Sequence, residues 1–83
     1  DWGLVPFAAM DEVVKVLTFG ASKYSRDNWK MVEKERYIAA SMRHISKYMQ
    51  NEIYDEESGI HHLAHAVTSI LFVLELEKMN AEE

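Results

Sequence analysis

The sequence predicts an all-α fold: a small bundle of three main helices per chain, completed by oligomerisation. Three observations lead there. Apolar residues recur at i, i+3, i+4 spacing in three separate segments, as they do on helices with one buried face. No segment alternates apolar and β-branched residues with polar ones as a strand does, and no hairpin dipeptide joins two such runs. With 83 residues, positions 1–83 make a single domain with one modest core, so a second copy is a natural supplement to its stability.

The first helix is expected from Phe7 to Leu17 or Phe19, with Pro6 at its opening turn and Phe7, Met10, Val13, Val14 and Leu17 as its stripe. Gly20 marks its expected end, because the left-handed residue that closes many helices favours glycine. The following GASKYSRDNW lacks apolar period and reads as an ordered loop with room for a short helical turn. A loop that carries Lys23, Tyr24, Asn28 and Trp29 is either pinned to the core or touching a ligand. The second helix is expected from Glu33 or Glu35 to Met49, with Tyr37, Ile38, Met42, Ile45 and Met49 on one stripe and His44 beside it. The third is expected from near Ser58 to about Met79. Its main stripe is Ile60, Leu63, Ala64, Val67, Ile70, Leu71 and Leu74; a second set, Ala66, Ser69, Phe72, Val73 and Leu76, makes it apolar over more than one face. That width fits burial against both its own domain and a partner subunit.

Composition removes several classes of function. No cysteine occurs, so a disulfide framework, a zinc–thiolate site and a cysteine nucleophile are excluded together. Nine basic residues against fourteen acidic ones give a formal charge of −5, the wrong sign for binding duplex nucleic acid. A small anionic ligand stays possible, because a divalent cation bridging carboxylates to phosphates reverses the local sign. The longest apolar-leaning run, Ala64 to Leu74, is too short and interrupted to span a bilayer, so a soluble, cytoplasmic protein without membrane contact is expected. The chain opens at Asp1 rather than methionine, which reads as a fragment or processed product.

The chemistry concentrates in NEIYDEESGIHHLAH, residues 51–65. Glu52 and Asp55 share a face if a helical turn forms there, and Glu56 and Glu57 lie beside them. Converging carboxylates suit a hard divalent cation that keeps water for substrate phosphate. Acids also gather before helices because the N-terminal partial charge attracts them, and Asp55 or Ser58 could cap the third helix. His62 and His65, three apart, could be ligands, general bases or groups that orient a water or a phosphate oxygen; His44 follows Arg43 on the preceding helix. His61 is expected nearer solvent. Lys23 and Arg43 are candidate phosphate contacts, against a plain reading as surface ion pairs. Trp29 and Tyr24 could stack on a nucleobase or plug the core edge. Serine nucleophiles and glycine-rich phosphate loops lack their usual sequence context.

LTFGASKYSRDNW, followed by YIAASMRHISKYMQNEIYDEESGIHHLAHAVTSILFVLELE, resembles the phage-associated dATP/dGTP diphosphohydrolase family, the MazZ-like relatives of the MazG all-α nucleotide pyrophosphohydrolases. The matching pattern is a G-A-x-K-Y loop, an N-W pair, an R-H pair, a G-E-x-x-D-like element and an S-G-x-x-H-x-x-H helix start, from about Val16 to Glu77. Asn51-Glu52 replaces the G-E pair as a turn variant. The resemblance implies Mg²⁺- or Mn²⁺-dependent hydrolysis of dGTP or dATP to the monophosphate and pyrophosphate by a homodimer or homotetramer. It implies Glu52 and Asp55 as metal ligands; the E-x-x-E ligand pair of the MazG group has no counterpart here, so His44, His62 or His65, or a partner subunit, would replace it. With the reading of the residues, this gives Glu52, Asp55 and His65 as expected catalytic groups, Glu52, Asp55, Glu56 and His44 as expected metal ligands, and Lys23, Tyr24, Asn28, Trp29, Arg43 and His62 as expected substrate contacts. Two rivals remain: a non-catalytic helical oligomerisation or adaptor domain, and an HD-type metal phosphohydrolase using His44 and Asp55.

Overall fold

A computed structural model describes residues 1–81. A 3-10 turn at Trp2–Leu4 leads into α1 (Phe7–Lys23), and a second 3-10 turn at Asn28–Met31 leads into α2 (Lys34–Met49); residues 50–61 then connect α2 to α3 (His62–Ala81). The all-α expectation holds. Among the described residues there is no strand, only an isolated bridge between Tyr54 and His61. No described helix is long and apolar enough to cross a membrane.

α2 and α3 run antiparallel. From one end of the pair to the other, Lys34 faces Glu77, Tyr37 meets the Phe72 ring, the Ser41 hydroxyl donates to the Ala66 carbonyl, and His44 meets His62. Small residues meet at the middle of the pair, where Ser41 and Ala66 are both buried; Ala64 and Thr68 are buried on another side of α3. Short side chains let the two backbones approach, and the hydroxyls of Ser41 and Thr68 are satisfied by the carbonyls of Ala66 and Ala64. α1 lies against α3 and buries Val13 and Val16.

Three expectations about the helices are corrected. α1 does not stop at Gly20 but continues to Lys23, with the Tyr24 N–H donating to the Gly20 carbonyl and the Ser22 hydroxyl to that of Phe19. Glycine weakens a helix; it ends one only where the chain turns left-handed, and the positive φ values fall at Asn51 and Gly59 instead. Val14 is exposed while Val16 takes the buried position. α3 begins at His62, not near Ser58, because Ser58 and Gly59 are spent on a tight loop.

The two apolar sets of α3 also divide unexpectedly. Ala66, Ser69, Phe72, Val73 and Leu76 are buried or half-buried within the chain, whereas Leu63, Val67, Ile70, Leu71 and Leu74 are exposed. Ile38, Met42, Ile45 and Met49 of α2 are exposed as well. A shallow, almost wholly apolar groove of about 400 Å³ runs where the two stripes meet, between Ile45 and Leu74.

Candidate functional site

The site is built by the way α2 ends. Glu52 N–H donates to the Lys47 carbonyl and Asn51 N–H to the Tyr48 carbonyl, each at 3.0 Å, a closing pattern that requires a left-handed residue at position 51. Asn51 has φ 71°. Asparagine is among the few residues with a Cβ that visit this region readily, so the Asn51-Glu52 variant preserves the turn and carries Glu52 back toward α3. The chain then makes a short excursion held by Asp55 N–H to the Ile60 carbonyl (2.9 Å), Gly59 N–H to that of Asp55 (2.8 Å) and His62 N–H to that of Ile53 (2.8 Å). Gly59, at φ 73°, closes it. Glu52 and Asp55 therefore converge through a turn and a loop rather than along one helical face.

Two hydrogen-bond chains meet there. Glu52 Oε2 lies 2.6 Å from His62 Nε2, and His62 Nδ1 lies 2.8 Å from His44 Nδ1. An ionised carboxylate only accepts, so His62 donates its Nε2–H to Glu52 and keeps a lone pair on Nδ1, which receives the Nδ1–H of His44. His62 is 2% exposed. In the second chain, Asp55 Oδ2 accepts from the Ser58 N–H and the Ser58 hydroxyl, both at 2.9 Å. That hydroxyl has one proton, spent on Asp55, so the 2.7 Å contact to His65 is His65 Nε2–H donating to Ser58 Oγ. The rings of His65 and His44 stack at 4.6 Å and 11°, which joins the two chains.

These acids do not cap α3. The His61 ring does so, its Nδ1 accepting from Leu63 N–H at 3.0 Å, and His61 sits half-buried between Tyr48 and Tyr54 rather than facing solvent. Burial lowers the His44 imidazole below its ordinary range, and His65 and His62 push the same way. Burial also lowers His65, against the pull of Asp55. Both rings are neutral at pH 7 and keep a lone pair. Burial pushes the Asp55 carboxyl up, but the two Ser58 hydrogen bonds and the nearby His65 outweigh it and hold the group below the usual carboxylate range.

His44, Asp55 and His62 each offer one donor atom, the three lying within 4.8 Å of one another. Two imidazole nitrogens and a carboxylate oxygen are donors that fit a divalent cation. Of the ligands expected from the sequence, His44 and Asp55 are in this group. His62, expected against substrate, joins them; Glu52 stands behind His62 as its hydrogen-bond partner, and Glu56 is exposed. The sequence signal for His62 was its spacing from His65, which by itself did not favour a ligand over a phosphate contact.

A groove of about 670 Å³ opens beside the cluster between α1, the 3-10 turn and α3, lined in part by Lys23, Tyr24, Asn28, Trp29 and, where it meets the cluster, His65. The loop is pinned to the core: Trp29 stacks on Phe72 at 4.8 Å and 8°, and its carbonyl accepts the Tyr37 hydroxyl at 2.8 Å. One face of the indole is therefore already covered. Lys23 pairs with Glu57 at the rim, Tyr24 is exposed, and Arg43 is exposed on α2 beside His44, outside the groove lining.

The family model for the dATP/dGTP diphosphohydrolase N-terminal domain matches residues 1–83. The chain belongs to this family. A dATP/dGTP diphosphohydrolase of Salmonella phage PMBT28 is 36% identical over 78 residues, covering 88% of this chain and 27% of that protein. This member of the family thus spans about a quarter of the length of that relative. No solved structure matches it.

Proposed function

We propose that the chain acts in the divalent-cation-dependent hydrolysis of dATP and dGTP to the monophosphate and pyrophosphate. One observation carries this reading: a cluster of neutral histidines and ionised carboxylates abuts a groove of nucleotide size, and His65 belongs to both. His44, Asp55 and His62 would hold a divalent cation, with Glu52 behind His62, and a cation there would supply Lewis-acid activation of water and neutralisation of phosphate charge. His65 has its Nε2 proton committed to Ser58, so its Nδ1 lone pair is the acceptor that orients the attacking water and takes its proton. Lys23 would offset charge on the leaving pyrophosphate by exchanging Glu57 for phosphate oxygens, whereas Arg43, outside the groove lining, is not assigned that role. Tyr24, Asn28 and the open side of Trp29 flank the base. Incubating each dNTP with Mg²⁺ or Mn²⁺ and separating the products tests the reading: pyrophosphate with dGMP or dAMP supports it.

The grouping of His44 with Asp55 favours a second reading, an HD-type phosphohydrolase, which would release inorganic triphosphate or phosphate in the same assay. The exposed stripes of α2 and α3 support a homodimer or homotetramer, in which a second copy covers them by isologous contact. Light scattering on a size-exclusion column checks this. Val67→Asp, in the middle of the apolar groove, is expected to shift the assembly toward monomer.

A further inference from the structure

The Glu52–His62–His44 chain carries more information than the presence of a cation site. We infer that His44, His62 and Asp55 select a first-row transition cation, such as Mn²⁺, Co²⁺ or Ni²⁺, over Mg²⁺, with Glu52 behind His62 as a positioning residue rather than a ligand. The inference deepens the metal element of the proposed function and stands on ligand geometry, independent of which bond is hydrolysed.

The first argument is the tautomer. Glu52 takes the Nε2 proton of His62, and the His62 ring is buried, so its Nδ1 lone pair is fixed in direction toward His44. A carboxylate that accepts the far N–H of a ligating histidine is the usual outer partner of such a ligand; it orients the ring and raises its basicity. Glu52 could not serve as a ligand in its present position without releasing that proton and freeing the ring to turn. The second argument is the separation of the nitrogens. His44 Nδ1 and His62 Nδ1 are 2.8 Å apart. That is the length of the hydrogen bond between the two rings, and it brings both nitrogens to one place, with the Asp55 donor within 4.8 Å of them. The third argument is softness. Mg²⁺ demands oxygen donors and sheds water reluctantly, whereas imidazole suits the later divalent ions, and the donor set here is two imidazoles with one carboxylate.

Isothermal titration calorimetry of the whole, metal-stripped chain with Mn²⁺, Co²⁺, Ni²⁺ and Mg²⁺, without nucleotide, tests this. One ion per chain is expected, with Mn²⁺ bound at least 10-fold tighter than Mg²⁺. Circular dichroism confirms that each variant is folded. His44→Gln, at a half-buried position, is expected to abolish binding of Mn²⁺ while the helices persist. Glu52→Gln is expected to weaken it by about 10- to 100-fold, the loss typical of an outer partner. Equal or tighter Mg²⁺ binding, or unchanged Mn²⁺ affinity in His44→Gln, would each overturn the inference. So would complete loss of binding in a folded Glu52→Gln. Transition-ion binding without nucleotide turnover would remove the hydrolase reading and leave the site standing; turnover supported by Mg²⁺ with no transition-ion preference would do the reverse.

Discussion

Replacing Ser58 by alanine removes the one hydroxyl that joins Asp55 to His65. Its three contacts saturate it: it donates to Asp55 Oδ2 at 2.9 Å, accepts from His65 Nε2 at 2.7 Å, and accepts from Ile60 N–H at 3.2 Å. A hydrogen bond to a charged acceptor contributes about 1.5–3 kcal/mol, and a half-buried imidazole N–H left partly unpaired adds up to about 1 kcal/mol, so Ser58→Ala is expected to cost about 2–4 kcal/mol. For a domain of this length that lowers the melting temperature by roughly 10–25 °C. Urea denaturation followed by circular dichroism measures it. Ser46→Ala is the control, because the Ser46 hydroxyl receives only the exposed Gln50 amide and its loss should cost under about 0.5 kcal/mol. A loss below about 0.5 kcal/mol at Ser58 would refute the hydrogen-bond assignment. The same variant addresses mechanism. The Ser58 proton is committed to Asp55 and its acceptor side to His65, so Ser58 is scaffold rather than nucleophile, and turnover should fall without vanishing.

Other outcomes follow from the same geometry. Gly59→Ala meets no atom within 4 Å, so its cost is the backbone strain at φ 73° alone, about 1–2 kcal/mol by urea denaturation. Asn51→Gly should be near neutral, whereas Asn51→Val should cost about 2 kcal/mol and loosen Glu52 from His62, visible as a change in the His62 ring resonances. Stability of the metal-free protein in EDTA should depend on pH in two windows. His44 and His65 are lowered from 6.5 in the fold, so the unfolded chain takes up protons first; their contribution is full above about 6.5 and is lost as pH falls through the lowered values. Asp55 is lowered from 3.8, so a second decline sets in below that pH. A flat stability profile between pH 7 and 5 would contradict the neutral assignment of the two rings.

Much of this architecture could be read in advance from particular residues. The three helices followed from periodicity, and Asn51 could be recognised as a turn residue because few others tolerate its φ. The buried side of α3 could not be read. Apolar spacing does not distinguish a stripe covered by the same chain from one left open, and the covered side is the one where the small residues Ser41 and Ala66 meet, which allow a closer approach than Leu63 or Leu71 would. The candidate site was legible as a region, residues 51–65 with His44, but not as a set of partners. Which acid faces which histidine depends on the excursion between Ile53 and His62, whose carbonyl and amide pairings have no local sequence signature. Gly20 illustrates the converse: its residue type permits a stop, and the continuing backbone bonds override it.

The narrow join between Ser41 and Ala66 lies one helical turn from both His44 and His62, and so acts as a spacer that gauges the distance between two imidazoles. A bulkier side chain there would wedge the hairpin open by prying at its middle, and the first property to suffer would be the grip on a cation, before any helix unravelled. Rigidity of the scaffold and the spacing of the two imidazoles are in this domain the same mechanical quantity, set by one hydroxyl and one methyl group.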